Sequence, residues 1–277
     1  MNLMMLLEMA AEGMPDRVAI GTRDDGLTYA DLFARAGAAA ARFRAAPGER
    51  VVLCDESSPA VPISIFGAAW AGMPYVPLNY RLPDDDLRSL AERSSPAIAV
   101  ADPAGAGRLG AVDGVDTVER DTFVDDPAGP AAGAQPGDWS MDAEEIAVLL
   151  FTSGTTGVPK SAVLRHRHLV SYILSSVEFM GAGDDEATIV SVPPYHVAGV
   201  ASMLSAVYSG RRIVQLPKFD PDLWIDTVER EGVTHAMLVP TMLSRIVDAL
   251  DARGGEPILG LRAMSYGGCL LYTSDAA

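Results

Sequence analysis

Thr152-Ser153-Gly154-Thr155-Thr156-Gly157-Val158-Pro159-Lys160 follows directly on the apolar run Ile146-Ala147-Val148-Leu149-Leu150-Phe151. A buried strand that runs into a loop of glycines and hydroxyls ending in a lysine is suited to holding phosphate. Glycine permits the positive φ angles that bring backbone close to a ligand, and successive amides in such a turn form an anion nest. Thr152, Ser153, Thr155 and Thr156 add hydroxyl donors, and Lys160 adds a mobile point charge. A flexible Gly/Thr linker has a similar composition. A linker, however, has no reason to follow a buried strand or to end in Pro-Lys.

The phosphate loop of nucleoside triphosphatases, Gly-x-x-x-x-Gly-Lys-[Ser/Thr], differs from this stretch at one place. Pro159 stands where the second glycine is required, and proline has no N–H to give and a fixed φ. The continuation differs too. Ser161-Ala162-Val163-Leu164 reads as a second short strand, with a helical pattern only from about Arg167. The phosphate is therefore expected over a strand-turn-strand loop rather than on a helix N-terminus.

The stretch resembles the signature of the adenylate-forming (AMP-binding) superfamily, which groups acyl-CoA synthetases, amino-acid-activating domains and luciferases. That signature reads close to [Tyr/Phe]-Thr-Ser-Gly-Thr-Thr-Gly-x-Pro-Lys-Gly. Phe151 to Lys160 match throughout, and Ser161 replaces the final glycine with another small residue. Further segments are similar to the family in the same order: Tyr75-Val76-Pro77-Leu78-Asn79-Tyr80-Arg81-Leu82-Pro83, Pro193-Pro194-Tyr195-His196-Val197-Ala198-Gly199, Val239-Pro240-Thr241-Met242-Leu243 and Ser265-Tyr266-Gly267-Gly268. The resemblance runs from about residue 3 to 268.

Composition agrees with a folded chain. It has 277 residues, of which 49% are hydrophobic, and these exclude a disordered protein. A net charge of −16, from 21 Lys and Arg against 37 Asp and Glu, repels nucleic acid and anionic membranes, so no nucleic-acid partner is expected. Lys160, Arg165 and Arg167 cluster near the loop, where a solvated basic face is an equal reading. Cys54 and Cys269 are too few for a disulfide framework or a four-cysteine zinc site, and Cys54 reads as a small buried hydrophobe in a reducing cytoplasm. The start, Met1 to Glu8, lacks a basic leader region and reads as an amphipathic helix. No apolar run approaches the length of a membrane span.

Along the chain, strands are expected at 18–20, 27–29, 51–53, 75–78, 97–100, 146–151, 161–164, 189–191, 213–215 and 236–239. Helices are expected between them, at about 30–43, 61–71, 199–208, 221–231 and 241–251. Asp84-Asp85-Asp86 reads as the first turn of a helix, where acids complement the dipole, rather than as a metal site. Residues 102–140, dense in Gly, Pro, Ala and Asp, read as a loop-rich excursion with few short elements. Alternating strands and helices predict an α/β fold with parallel sheets covered by helices. The resemblance refines this to the N-terminal domain of an adenylate-forming enzyme, incomplete at its C-terminus, with two packed parallel-sheet lobes and flanking helices. Lobe one is expected at roughly 51–180 and lobe two at roughly 1–50 plus 181–268. The end, 269–277, departs from the family and reads as an aberrant, non-native tail.

The resemblance implies ATP-dependent activation of a carboxylic acid to an acyl-adenylate, then thioester formation with coenzyme A. Mg²⁺ is implied by the ATP chemistry, with no metal ligand assignable in this stretch. Thr152, Ser153, Gly154, Thr155, Thr156, Gly157 and Lys160 are the expected phosphate-binding residues, with Lys160 also catalytic. Tyr266, Gly267 and Gly268 are similar to the start of the segment that packs on adenine. Among the four histidines, His166 and His168 diverge on a helix and do not suit zinc, and His235 reads as a strand-entry residue. His196 is the candidate for orientation and gating, and Tyr195, His196 and Val200 are the expected acid pocket. Val200, Met203 and Leu204 also fit plain core at helical spacing. Amino-acid-activating relatives carry an aspartate just after the aromatic residue of this segment; Tyr195-His196-Val197-Ala198 has none. The reading is therefore a fatty, alicyclic or aromatic acid. The family's Thr-Glu pair, ribose-binding Asp, hinge and terminal-domain lysine have no counterpart here, so the chain alone is expected to be inactive. An amino-acid-activating domain and a non-catalytic nucleotide-binding remnant are the competing readings.

Overall fold

A computed structural model of the chain describes residues 1–152 and 160–266. Their strands form two six-stranded sheets. Sheet I, completed by the later half of the chain, contains β1 (Val18–Ile20), β2 (Leu27–Thr28), β9 (Ala187–Val190), β10 (Arg212–Gln215), β11 (His235–Leu238) and β12 (Ala263–Tyr266), in the order β12-β11-β9-β10-β1-β2. Sheet II contains β3 (Arg50–Cys54), β4 (Tyr75–Pro77), β5 (Ala97–Ala101), β6 (Val115–Glu119), β7 (Ile146–Thr152) and β8 (Lys160–Arg165), in the order β6-β5-β3-β4-β7-β8. Each sheet is parallel except for one antiparallel edge pair, β1 with β2 and β7 with β8. The fold is α/β, with two parallel-sheet lobes and flanking helices, as the alternation of elements requires.

The lobes share one apolar core. Helix α3 (Ala60–Ala71) is apolar all round and buried from Ala60 to Trp70, which a helix tolerates only when covered on every side. Helix α2 (Tyr29–Ala45) lies so close to it that a Cβ on Gly67 would fall 2.8 Å from the Ala39 Cβ. Helix α1 (Met4–Gly13) completes the packing with Leu3, Met4, Leu6 and Leu7, all at most 1% exposed. The same core takes in Ile20 and Ile213 of sheet I and Val51 and Val148 of sheet II. Smaller clusters cover the outer faces. Leu87 of α4 (Asp84–Ser94) and Leu109 of α5 (Pro103–Leu109) pack on sheet II, and Trp224 of α9 (Pro221–Glu231) and Ile246 of α10 (Pro240–Ala252) pack on sheet I.

Two expectations change. Tyr29 begins α2 instead of ending a strand, because Thr28 caps the helix: its side chain accepts the Asp31 N–H while the Asp31 carboxylate accepts the Thr28 N–H. Residues 102–140 hold more structure than a loop. They form α5, α6 (Arg120–Asp125) and β6, which pairs in register with the whole of β5. As an edge strand, β6 leaves Asp116 and Glu119 exposed and so lacks an apolar run. The amphipathic N-terminal helix forms as expected, with Met4, Leu6, Leu7 and Ala10 buried and Glu12 exposed, and it touches α2, α3 and α8 (Val197–Ser209). Asp84, Asp85 and Asp86 do form the first turn of α4. Among the described residues no helix is long and apolar enough to cross a membrane.

Candidate active site

Loops that leave the carboxyl ends of parallel strands are where open α/β sheets bind ligands. Here the carboxyl edges of the two sheets face each other. Ser57, beyond β3, donates its hydroxyl proton to the carbonyl of Val190 at the end of β9 at 3.4 Å. The side-chain amide of Gln215, at the end of β10, donates to the carbonyl of Ser58. The Tyr80 ring, beyond β4, meets the Tyr195 ring, beyond β9, edge to face at 5.6 Å.

Thr152 ends β7 and Lys160 begins β8, paired in register, with the Thr152 hydroxyl donating to the Lys160 carbonyl at 3.3 Å. Both are exposed, at the neck of the glycine-threonine loop. Ser153, Gly154, Thr155, Thr156 and Gly157 lie outside the described residues. Because β7 neighbours β4, the Thr152 end of β7 lies on the same side of the sheet as the turn after β4 that carries Tyr80 and Arg81. Tyr266 ends β12 at the carboxyl edge of sheet I, 57% exposed. Gly267, Gly268 and the tail 269–277, with Cys269, also lie outside the described residues.

His196 is the N-cap residue of α8, and its ring lies 4.6 Å from that of Tyr195. The tight turn before the helix requires Gly199, since a Cβ there would fall 2.7 Å from the Pro193 carbonyl oxygen. The Arg81 guanidinium sits 5.4 Å over the Tyr80 ring. Burial first, and the Arg81 charge second, hold the His196 imidazole below its ordinary value and hence neutral at pH 7. Burial pushes the Tyr195 hydroxyl up. Sequence reading gave Tyr80 and Arg81 no role; their chemistry emerges only where the two lobes meet.

Of the expected acid pocket, Tyr195 and His196 precede α8 and are not among the residues lining the cavity beside it, and Val200 faces the core. Val200, Met203 and Leu204 are buried in the shared core, with Val200 only 1% exposed. The opposite side of the helix carries Val197, Ala198, Ala201, Ser202, Ser205 and Ala206, which line a cavity of about 650 Å³. Spacings of one, four and five residues place these six on one helical face. Leu169 and Tyr172 of α7 (His166–Ser176) and Met237 of β11 close the other walls, and Arg211, Thr188 and His235 line it as polar groups. Among the described residues no aspartate or glutamate lines it. The signal for His235 was in the sequence: in a strand it shares a face with Met237.

His166, His168, Arg165 and Arg167 have partners within the fold. His166 is buried, its Nδ1 accepting the Leu3 N–H at 3.2 Å, and burial pushes its pKa down to about 4. His168 also lines the α8 cavity, its Nδ1 accepting the Arg165 N–H at 3.1 Å. Arg165 and Arg167 pair with Glu144 at 3.7 and 2.8 Å. Cys54 is fully buried, its thiol pushed up to about 12 by burial. Among the described residues no group of three or more His, Cys, Asp or Glu could hold a metal ion.

Comparison with known proteins agrees with this geometry. The model of the AMP-binding enzyme family matches residues 7–273, and the chain belongs to that family. A feruloyl-CoA synthase from an Amycolatopsis species is 30% identical over 260 residues, covering 92% of this chain and 52% of that protein. The chain thus spans about half the length of the curated relatives it matches. ATP-bound MatB from Rhodopseudomonas palustris is 29% identical and superposes with a TM-score of 0.77 over 97% of this chain and 55% of that one. The N-terminal domain of FACL13 from Mycobacterium tuberculosis, at 20% identity, shares the fold with a TM-score of 0.84 over 99% of this chain and 72% of that one.

Proposed function

We propose that this member of the AMP-binding enzyme family serves the ATP-dependent activation of a carboxylic acid to an acyl-adenylate, followed by acyl transfer to coenzyme A. The observation that carries the reading is the meeting of the two carboxyl edges. It brings the Thr152–Lys160 neck of sheet II towards Tyr195 and His196, which directly precede the cavity-lining residue Val197 of α8. The relatives' CoA-ligase chemistry supports it.

A carboxylate is a poor acyl donor until its carbonyl carries a better leaving group. Attack of a carboxylate oxygen on the α-phosphorus of ATP supplies one, releasing pyrophosphate, and a thiol then displaces AMP. Such transfers depend on positioning and charge stabilisation. In this reading Lys160, Thr152 and the loop residues Ser153 to Gly157 hold the β and γ phosphates. Tyr266, with Gly267 and Gly268, offers an exposed ring for adenine. Neutral His196 orients the acid beside Tyr195 and gates the path between acid and nucleotide, without an ionic hold on the carboxylate. Mg²⁺ belongs to the proposal as counter-ion of the nucleotide; the described residues offer it no cluster of ligands, and no step is assigned to it.

The acid is fatty, alicyclic or aromatic. Among the described residues the cavity wall offers no carboxylate to pair with the ammonium of an amino acid, which disfavours an amino-acid-activating domain. One partial domain of two lobes, roughly 51–180 and 1–50 with 181–268, in a cytoplasmic setting, completes the proposal. The test is acid-dependent exchange of labelled pyrophosphate into ATP by the protein that carries this chain. Lys160→Ala is expected to lower exchange by about 10²- to 10³-fold. Unchanged exchange overturns the role given to the loop.

A further inference from the structure

We propose that the cavity between the end of α2 and the amino ends of β5 and β6 is a second binding site, which takes a small monocarboxylate with a compact apolar body and holds it by the Arg42 guanidinium. The site lies at the opposite end of sheet II from the carboxyl edge that carries Thr152 and Tyr80, and it does not depend on the function proposed above.

Two arginines are buried among the described residues, Arg212 at 6% exposure and Arg42 at 9%. A guanidinium keeps its charge at any ordinary pH, so each needs acceptors once it leaves water. Arg212 has them: Glu231 Oε2 at 3.1 Å, the Glu231 carbonyl at 2.6 Å and the Gly21 carbonyl at 2.8 Å. Arg42 does not. Its Nε and Nη1 are buried without a hydrogen-bond partner, although the side chain lines the cavity. Burial works against its charge, and Asp126 offsets that only in part. Asp126 is exposed, and its carboxylate accepts the Gly129 N–H at 3.0 Å. The turn Gly129–Ala131 closes over the guanidinium, and Gly129 makes the room for it: φ is positive there, and a Cβ would collide with Nη2.

The surroundings select the ligand. The cavity measures about 370 Å³, which suits a small molecule, and its walls beside Arg42 are apolar, with Ala45, Pro47, Ile98, Val118 and Ala131. Asp116, exposed and opposite Ile98 in the β5–β6 register, is the one acid that lines it among the described residues. The carbonyls that end α2 add the negative pole of the helix. Around a single guanidinium there is thus already some negative charge, from Asp116, Asp126 and the helix end. One further negative charge completes the balance. A dianion such as phosphate exceeds it and makes no use of the apolar walls. A neutral amide brings an acceptor oxygen without charge, and so forms only the weaker class of hydrogen bond. A carboxylate on a short branched hydrocarbon meets both demands.

The experiment is an NMR chemical-shift titration of this chain with isovalerate, isovaleramide and inorganic phosphate. The amides of Ala46 and Val118 report this cavity, and those of Ala198 and Ala201 report the α8 cavity, so the two sites are read separately. Isovalerate is expected to shift Ala46 and Val118 saturably and to bind there about tenfold more tightly than isovaleramide or phosphate, the effect of one charge-assisted contact. Arg42→Met keeps the apolar stem and removes the charge. It is expected to weaken isovalerate at Ala46 and Val118 at least about tenfold, and to leave any response at Ala198 and Ala201 as it was. No saturable shift at Ala46 and Val118 in the unaltered chain overturns the inference and leaves the proposed function standing. Isovaleramide or phosphate binding there as tightly as isovalerate overturns it too, and neither result needs a variant to fold. Undiminished binding in Arg42→Met overturns the role of Arg42 and the inference with it.

Discussion

Helices α3 and α8 leave the carboxyl ends of β3 and β9, in matching places of the two sheets, and both are built of apolar and small residues. Their surroundings differ completely. Every residue of α3 from Ala60 to Trp70 is buried, with α2 pressed on Gly67. On α8 the row Val200, Met203, Leu204 and Val207 enters the shared core, while the row Ala198, Ala201, Ser202 and Ser205 faces a cavity of about 650 Å³. Small side chains let a neighbouring helix approach in one case and leave room for a ligand in the other. Composition is common to both outcomes; what lies opposite decides between them.

The comparison breaks first in the filled lobe. Phe66→Ala, at a fully buried position of α3, is expected to cost about 3–5 kcal/mol and to lower Tm by roughly 10 °C in a thermal melt. A loss under about 1 kcal/mol would mean that α3 is not the tightly filled helix described above.

Acid acts on the brace that α1 provides to both helices. Buried His166 has a folded pKa of about 4, below the ordinary value of 6.5, so the unfolded chain binds the proton more readily. Stability is then complete above pH 6.5 and falls as pH drops from 6.5 towards 4, by about 3 kcal/mol. Urea midpoints measured across that window check the sign, and His166→Gln is expected to flatten the dependence. A midpoint that rises on acidification contradicts the account.

The smallest stability effect is expected on the open face of α8. Ala201→Leu projects into the cavity and is expected to change stability by less than about 1 kcal/mol, because no packed wall must move. Acid-dependent pyrophosphate exchange is expected to fall at least about tenfold, because the added side chain fills the proposed acid site. Strong destabilisation would show that this face is packed like α3.

Much of this architecture was legible in the sequence. The strand-loop-strand around Lys160, the fully apolar α3 and the alternation after residue 187 each follow from local patterns, and the structure forms them at those places. The Thr28 capping box was also written locally, as Thr28-Tyr29-Ala30-Asp31, although Tyr29 read as strand. Strand β6 was not, because an edge strand lacks the apolar run that marks a buried one. The candidate site was half legible. Thr152, Lys160, Tyr195 and His196 carried motif and spacing. Tyr80, Arg211 and His235 come to the cleft or the cavity through contacts across sheets or between strands distant in sequence, and no local pattern records those. Val200 illustrates the same limit from the other side: it sits on the right helix and on its core-facing row.

The central claim is that the joined carboxyl edges hold a nucleotide by its terminal phosphates at the Lys160 neck. Titration of this chain and its Lys160→Ala variant with ATP and with AMP tests it most directly. ATP affinity is expected to fall at least about tenfold in the variant, the effect of losing a charge-assisted contact, while AMP affinity stays within about twofold. Equal ATP affinity in the two proteins, or an equal loss for AMP, contradicts it.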